Sequence, residues 1–117
     1  MLSENDKEAI RSVERVIEAM ENLRHVLEIR EESLRRAIRV REPALDYAEA
    51  VKDARVNEEH EDLLEALFLL DQRRRESRIA SFRSAMDHGV SINELSRIWG
   101  FSRQMASRYA KEARGEI

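Results

Sequence analysis

The chain has 117 residues, 38% of them charged and 5% aromatic, with one proline, three glycines and a net charge of −3. Cysteine is absent, which excludes a disulfide framework, a thiolate zinc site and a catalytic thiol. Glu, Arg, Ala and Leu recur throughout, a composition that favours helices over the turns and β-branched runs of an all-β fold, so the expected fold class is all-α.

The net charge hides an asymmetry. Residues 1–71 carry 11 Lys and Arg against 19 Asp and Glu, a net of −8, whereas residues 72–117 carry 10 against 5, a net of +5. The basic excess is therefore confined to the C-terminal part, where a phosphate-binding surface would need it. The longest apolar runs, Leu63-Leu64 and Ala66 to Leu70, fall far short of the roughly 20 residues that cross a bilayer. The opening MLSENDKEAI lacks the basic start and apolar core of a secretory signal, so the expectation is a cytoplasmic protein with no membrane partner.

Ser3 is a hydroxyl N-cap candidate with the acid Asp6 three residues later, a pattern close to a capping box. No glycine or proline then intervenes before Pro43. Val13, Val16, Met20, Leu23, Leu27, Leu34 and Ala37 alternate steps of three and four, with Arg30 as a charged intrusion. This predicts a coiled-coil-like seam on a helix of about 38 residues and about 57 Å. A second stripe of Ile10, Ile17 and Ile38 widens the apolar face toward what a bundle needs.

Pro43 marks a break, and a second helix is expected from there to Arg55, with Ala44, Tyr47, Ala48, Val51 and Ala54 on one side. Asn57 is a plausible N-cap for a further helix, with Glu58 and Glu59 behind it. His60 among Glu58, Glu59, Glu61 and Asp62 reads as a charged helix start, and no metal is expected there. Leu63, Leu64, Leu67, Phe68 and Leu70 form the most hydrophobic cluster of the chain. They belong in a bundle core or a dimer interface. Charge changes sign at Asp71 to Ser77, which divides a helical dimerisation segment, 1–72, from a basic module, 73–117. Arg73, Arg74 and Arg75 are either a clamp on DNA phosphates or a solvated basic turn at a helix C-terminus.

Within the basic module, Ile79, Phe82 and Met86 share one helical face, and Asp87-His88-Gly89 reads as a helix end with a glycine cap. Ser91-Ile92-Asn93-Glu94 is a capping box opening a new helix, whose buried face is expected to be Leu95, Ile98 and Trp99. Gly100 permits a backbone reversal and Phe101 plugs the corner. Ser102 caps the next helix, in which Met105, Ala106 and Tyr109 are expected to face inward.

On these residues the segment from Ser77 to Ala113 resembles the tri-helical helix-turn-helix domains of bacterial and phage repressors and the related DNA-binding tails of recombinases and transposases. The apolar Leu95, Trp99, Phe101 and Tyr109, the turn glycine Gly100 and the run Gly-Phe-Ser-Arg-Gln carry the resemblance. Ser96 and Ala106 depart from it, standing where alanine and a β-branched residue are usual. The resemblance covers about a third of the chain and implies a reader of double-stranded DNA.

Independently, positions 103, 104, 107, 108 and 111 fall on a polar arc of the last helix, and Arg and Gln can pair bidentately with guanine and adenine edges. Arg103, Gln104, Ser107 and Arg108 are the candidate base contacts. Lys111, Arg114, Arg97 and Ser102 are better placed for phosphates, with Arg73, Arg74 and Arg75 as further phosphate candidates. Trp99 and Phe101 flank the turn in a way that suits core packing rather than base stacking. No catalytic constellation, cofactor motif or metal-ligand spacing is present, so no enzyme activity and no cofactor are expected.

The expected function is a sequence-specific DNA-binding protein, a dimeric transcriptional regulator of bacterial or phage type, associated with the nucleoid. Two copies are expected to join through the N-terminal helices, with Leu27, Leu34, Leu63, Leu67, Phe68 and Leu70 at the interface. A single module offers few base contacts, whereas a two-fold pair reads two half-sites. Two alternatives stand beside this one: a helical adaptor gripping another protein through its acidic helices, and an oligomeric architectural or phage DNA-packaging recognition protein.

Overall fold

The computed structural model describes residues 1–39 and 56–116. Among the described residues there are four helices and no strand: α1 (Glu4–Arg39), α2 (Val56–Asp87), α3 (Ile92–Trp99) and α4 (Arg103–Ala113). The described residues are helical throughout apart from short turns and ends, as the composition predicts. No helix of the described residues is long and apolar enough to cross a membrane. The helix expected from Pro43 to Arg55 lies outside the described residues.

α2 is longer than the sequence suggests. Its described part begins at Val56, so Asn57 lies inside the helix rather than capping it. The helix also passes through 72–77 without a break, which puts Arg73, Arg74 and Arg75 in mid-helix rather than in a basic last turn. Gln72 to Ser77 contains no helix breaker, and the Arg73–Glu76 ion pair at 2.9 Å supports the turn from within.

The chain forms two compact units, Met1–Ile17 with Gln72–Ile117, and Glu18–Asp71. In the first, Phe82 of α2, Leu95 of α3 and the alanines Ala106, Ala110 and Ala113 of α4 form the buried core, with Ile79, Met86, Ile92, Phe101 and Tyr109 packed around it. Phe82 has no exposed surface, and its ring lies 5.0 Å from Trp99, 6.1 Å from Tyr109 and 6.5 Å from Phe101. Such tilted and edge-on arrangements suit aromatic quadrupoles. α2 ends where expected, with Gly89 in the left-handed region at φ 80°.

The start of α1 belongs to this unit. Ser3 and Asp6 cap each other, the Asp6 N–H donating to Ser3 Oγ and the Ser3 N–H to Asp6 Oδ2, both at 3.1 Å. Asp6 has a second role that its sequence context does not announce. It accepts a 2.6 Å hydrogen bond from the Ser84 hydroxyl, and His88 Nε2 lies 3.0 Å from the same carboxylate oxygen. The Ser84 hydroxyl, the Ser3 N–H and His88 together hold the Asp6 carboxyl well below the usual carboxylate range. Beside it the Asn5 amide donates to Asp87.

In the second unit the later part of α1 runs antiparallel to the earlier part of α2. The Ser33 hydroxyl donates to Glu59 at 2.5 Å, and further along Asn22 and Val26 share a shallow groove with Asp62, Glu65, Ala66 and Leu69. Along α1 as a whole the predicted seam is split between inward and exposed positions. Val16, Leu23 and Ala37 turn inward, but Val13, Met20, Leu27 and Leu34 are exposed, as are Ile10, Ile17 and Ile38. The inward row is completed by Ser12, Ala19, Val26 and Ser33, with half-buried Arg30 in line. Small residues allow close helix approach, so a row of Ser and Ala was chosen for burial while larger aliphatics were left outside. Hydropathy counting cannot make that distinction.

Candidate functional site

α3, the short turn and α4 are each fixed by local chemistry. Ser91 caps α3, accepting from the Glu94 N–H at 3.2 Å. Gly100 ends it with φ 70° and ψ 20°, a left-handed conformation that suits glycine. Ser102 caps α4, accepting from the Met105 N–H at 3.1 Å. Ser96, one of the two departures from the repressor pattern, donates its hydroxyl to the Phe101 carbonyl at 2.6 Å and so ties α3 to the turn. Ala106, the other departure, is fully buried.

Because Ala106, Ala110 and Ala113 bury one side of α4, the opposite side faces outward. Gln104, Arg108 and Lys111, spaced four and three apart, form one exposed row along it. Arg103, exposed at the first turn, and half-buried Ser107 flank that row. A shallow concavity is lined by Arg103, Gln104, Met105, Ser107, Arg108, Lys111 and Glu116. The four residues predicted to touch bases and Lys111 thus share one surface.

Three core expectations fail here. Met105 does not face inward; it is 42% exposed and lines the concavity. Ile98 is 64% exposed, while Leu95 of the same helix is fully buried. Trp99 is 37% exposed although its ring lies 5.0 Å from Phe82; α3 has only eight residues, and Leu95 is its one residue in the buried core, which leaves the Ile98 side outward.

The remaining phosphate candidates are dispersed. Arg97 lies on α3 beside Glu94 and Ile98, and Arg114 pairs with Glu116 at 3.1 Å. Arg73, Arg74 and Arg75 are successive helical residues, each turned about 100° from the last, so no single surface holds all three. Arg75 reaches Glu112 of α4 at 2.9 Å, and Arg73 is held by Glu76. Of the predicted interface residues, Leu27, Leu34, Leu67 and Phe68 are exposed, and Leu63 and Leu70 are half-buried.

Sequence reading missed the supports beneath α4. Glu112, the one acid within that helix, is met by Arg75 and by Arg78 at 3.8 Å. The Arg78 guanidinium also lies 4.0 Å from the centre of the Tyr109 ring. Arg83 donates from Nε to the Ala113 carbonyl at 2.8 Å, holding the C-terminal end of α4. These pairings join residues 30 to 37 positions apart, and no local pattern signals them. Among the described residues no group of three or more His, Asp or Glu is arranged to hold a metal ion. Comparison with protein-family models, with curated proteins and with solved structures finds no match for this chain.

Proposed function

We propose that the chain is a sequence-specific binder of double-stranded DNA, a transcriptional regulator of bacterial or phage type that acts as a dimer and reads DNA with α4. The observation that carries this reading is the exposed row of Gln104, Arg108 and Lys111, flanked by Arg103 and Ser107, on a helix whose other side is sealed by alanines. Such a helix is narrow enough on its outer side to enter a major groove, and its Arg and Gln side chains offer bidentate donors and acceptors to purine edges. Lys111 and the outward N–H groups at the Ser102 cap suit phosphates. On this reading the segment from α2 through α4 works as a helix-turn-helix.

Glu112 would oppose a polyanion, and its pairing with Arg75 and Arg78 removes that obstacle. The test is selection of bound sequences from a random duplex pool, followed by titration of the selected site against scrambled DNA across a range of salt. A recurring motif with salt-dependent affinity is expected. Binding that is absent at low ionic strength would reject the proposal. The adaptor reading draws on one observation of its own, the apolar side chains left exposed on α1 and α2, a surface of the kind that receives a partner helix.

A further inference from the structure

The second unit has two unlike sides. Inward positions on α1 include Leu23, Val26, Ser33 and Ala37, and on α2 Leu63, Ala66 and Leu70. Leu27, Leu34 and Ile38 each follow an inward residue of α1 by one position, and Leu64 and Leu67 do the same on α2. One position is about 100° around a helix. Because the two helices run antiparallel, a forward step turns one clockwise and the other anticlockwise in a common view. Both sets therefore emerge on the same side of the pair. Asn22, Asp62 and Glu65 precede inward residues by one, and by the same geometry they line the opposite, polar side.

The apolar side is not a scatter of single side chains. Leu27, Leu34, Ile38, Leu64 and Leu67 are 42 to 54% exposed, and they form one apolar band on that side of the two helices. A band of that kind on a soluble protein marks a surface that is covered in use.

The charges within the band identify what covers it. Ile17, Arg24, Glu31 and Ile38 recur at seven-residue intervals on α1, so Arg24 and Glu31 interrupt the apolar stripe at matched positions. They are symmetric about the Leu27–Glu28 level. A two-fold axis there, perpendicular to α1, sets Arg24 of each chain against Glu31 of the other. A parallel copy in register would set Arg24 against Arg24 and Glu31 against Glu31. Glu31 also pairs with Arg35 on its own helix. Across the interface, the antiparallel pairing makes both contacts attractive where a parallel one in register makes both repulsive, and a two-fold interface demands self-complementarity of this kind.

We infer that the face formed by Leu27, Leu34, Ile38, Leu64 and Leu67 is closed by a second copy of this chain, with the two α1 helices crossing antiparallel near Leu27. The inference deepens the dimer in the proposed function but stands without DNA. Its readout is self-association alone.

The experiment is sedimentation equilibrium of the full chain without DNA, for wild type, Arg24→Glu, Glu31→Arg and the double variant, with far-UV circular dichroism to confirm that helicity is kept. Wild type is expected to be a reversible dimer at micromolar concentrations. Each single reversal turns two attractions into two repulsions by symmetry and should raise the dimer dissociation constant by about tenfold or more. The double variant should return to within about threefold of wild type, since exchanging both signs restores the pairing. A monomeric wild type, or a partner of another sequence occupying the face, overturns the inference. So does a double variant no tighter than the single ones, because a parallel pair gains nothing from the exchange. Loss of DNA binding in Gln104 or Arg108 variants leaves these outcomes unchanged, so failure here and failure of the DNA reading are distinguishable.

Discussion

Two phenylalanines of this chain occupy opposite environments, and truncating each tests whether Phe82 holds the first unit together. Phe82 is fully buried at the junction of α2, α3 and α4, with three aromatic rings within 6.5 Å, whereas Phe68 is 71% exposed. Phe82→Ala removes a filled core position and should cost about 3–5 kcal/mol. The unit comprises Met1–Ile17 and Gln72–Ile117, and for a body of that size total stability is about 3–9 kcal/mol. The substitution therefore consumes about a third or more of what keeps α3 and α4 in place. Phe68→Ala, measured at concentrations low enough for the protein to be monomeric, should change the same transition by less than about 0.5 kcal/mol. Urea unfolding followed by the fluorescence of Trp99, the single tryptophan and a direct neighbour of the Phe82 ring, reports on this unit specifically. A loss below about 1 kcal/mol for Phe82→Ala, or equal losses for both variants, would refute the assignment of Phe82 as the centre of the core.

Gly100→Ala should cost about 1–2 kcal/mol by the same assay. No atom lies within 4 Å of a Cβ built there, so the cost is the left-handed backbone alone, and a neutral substitution would show that the turn does not need φ 70°. Asp6→Asn should remove a contribution that is pH-dependent in a defined direction. The folded carboxyl titrates below its unfolded value near 3.9, so the stability gap between wild type and variant should be constant from pH 7 down to about 4 and narrow only below that. A gap that closes between about pH 7 and 5 would contradict the hydrogen bonds from Ser84, Ser3 and His88. Gln104→Ala or Arg108→Ala should weaken binding to a selected duplex by about 1–3 kcal/mol and relax its sequence preference. Lys111→Ala should instead weaken selected and scrambled duplexes alike and reduce the salt slope by about one; identical profiles from all three variants would reject these roles.

The ends of α3 and α4 were legible because capping is local chemistry. Ser91, Gly100 and Ser102 act within three residues of themselves, and each sits where its backbone requirement dictates. Leu95, Phe82 and Ala106 were likewise readable, since each falls on the apolar side that helical spacing picks out on its own helix. Met105 and Ile98 were not, because an apolar residue at the margin of a helical face is buried only if a neighbour reaches it, and the helices here are too short to do so.

What the sequence determined by itself is the helical class, the acidic and basic division of the chain, the helix ends around the turn and the polar row on α4. All of these follow from propensity, charge and spacing within a few residues. Only the tertiary structure decided which row of α1 goes inward. The buried row includes Ser12, Ala19 and Ser33, while Leu27 and Leu34 stay out, because small side chains let two helix backbones approach and large ones do not. Tertiary structure also joined Asp6 to Ser84 and His88, and Glu112 to Arg75 and Arg78. Those partners lie far apart in the chain, and their meeting depends on where whole helices are placed, which no local pattern encodes.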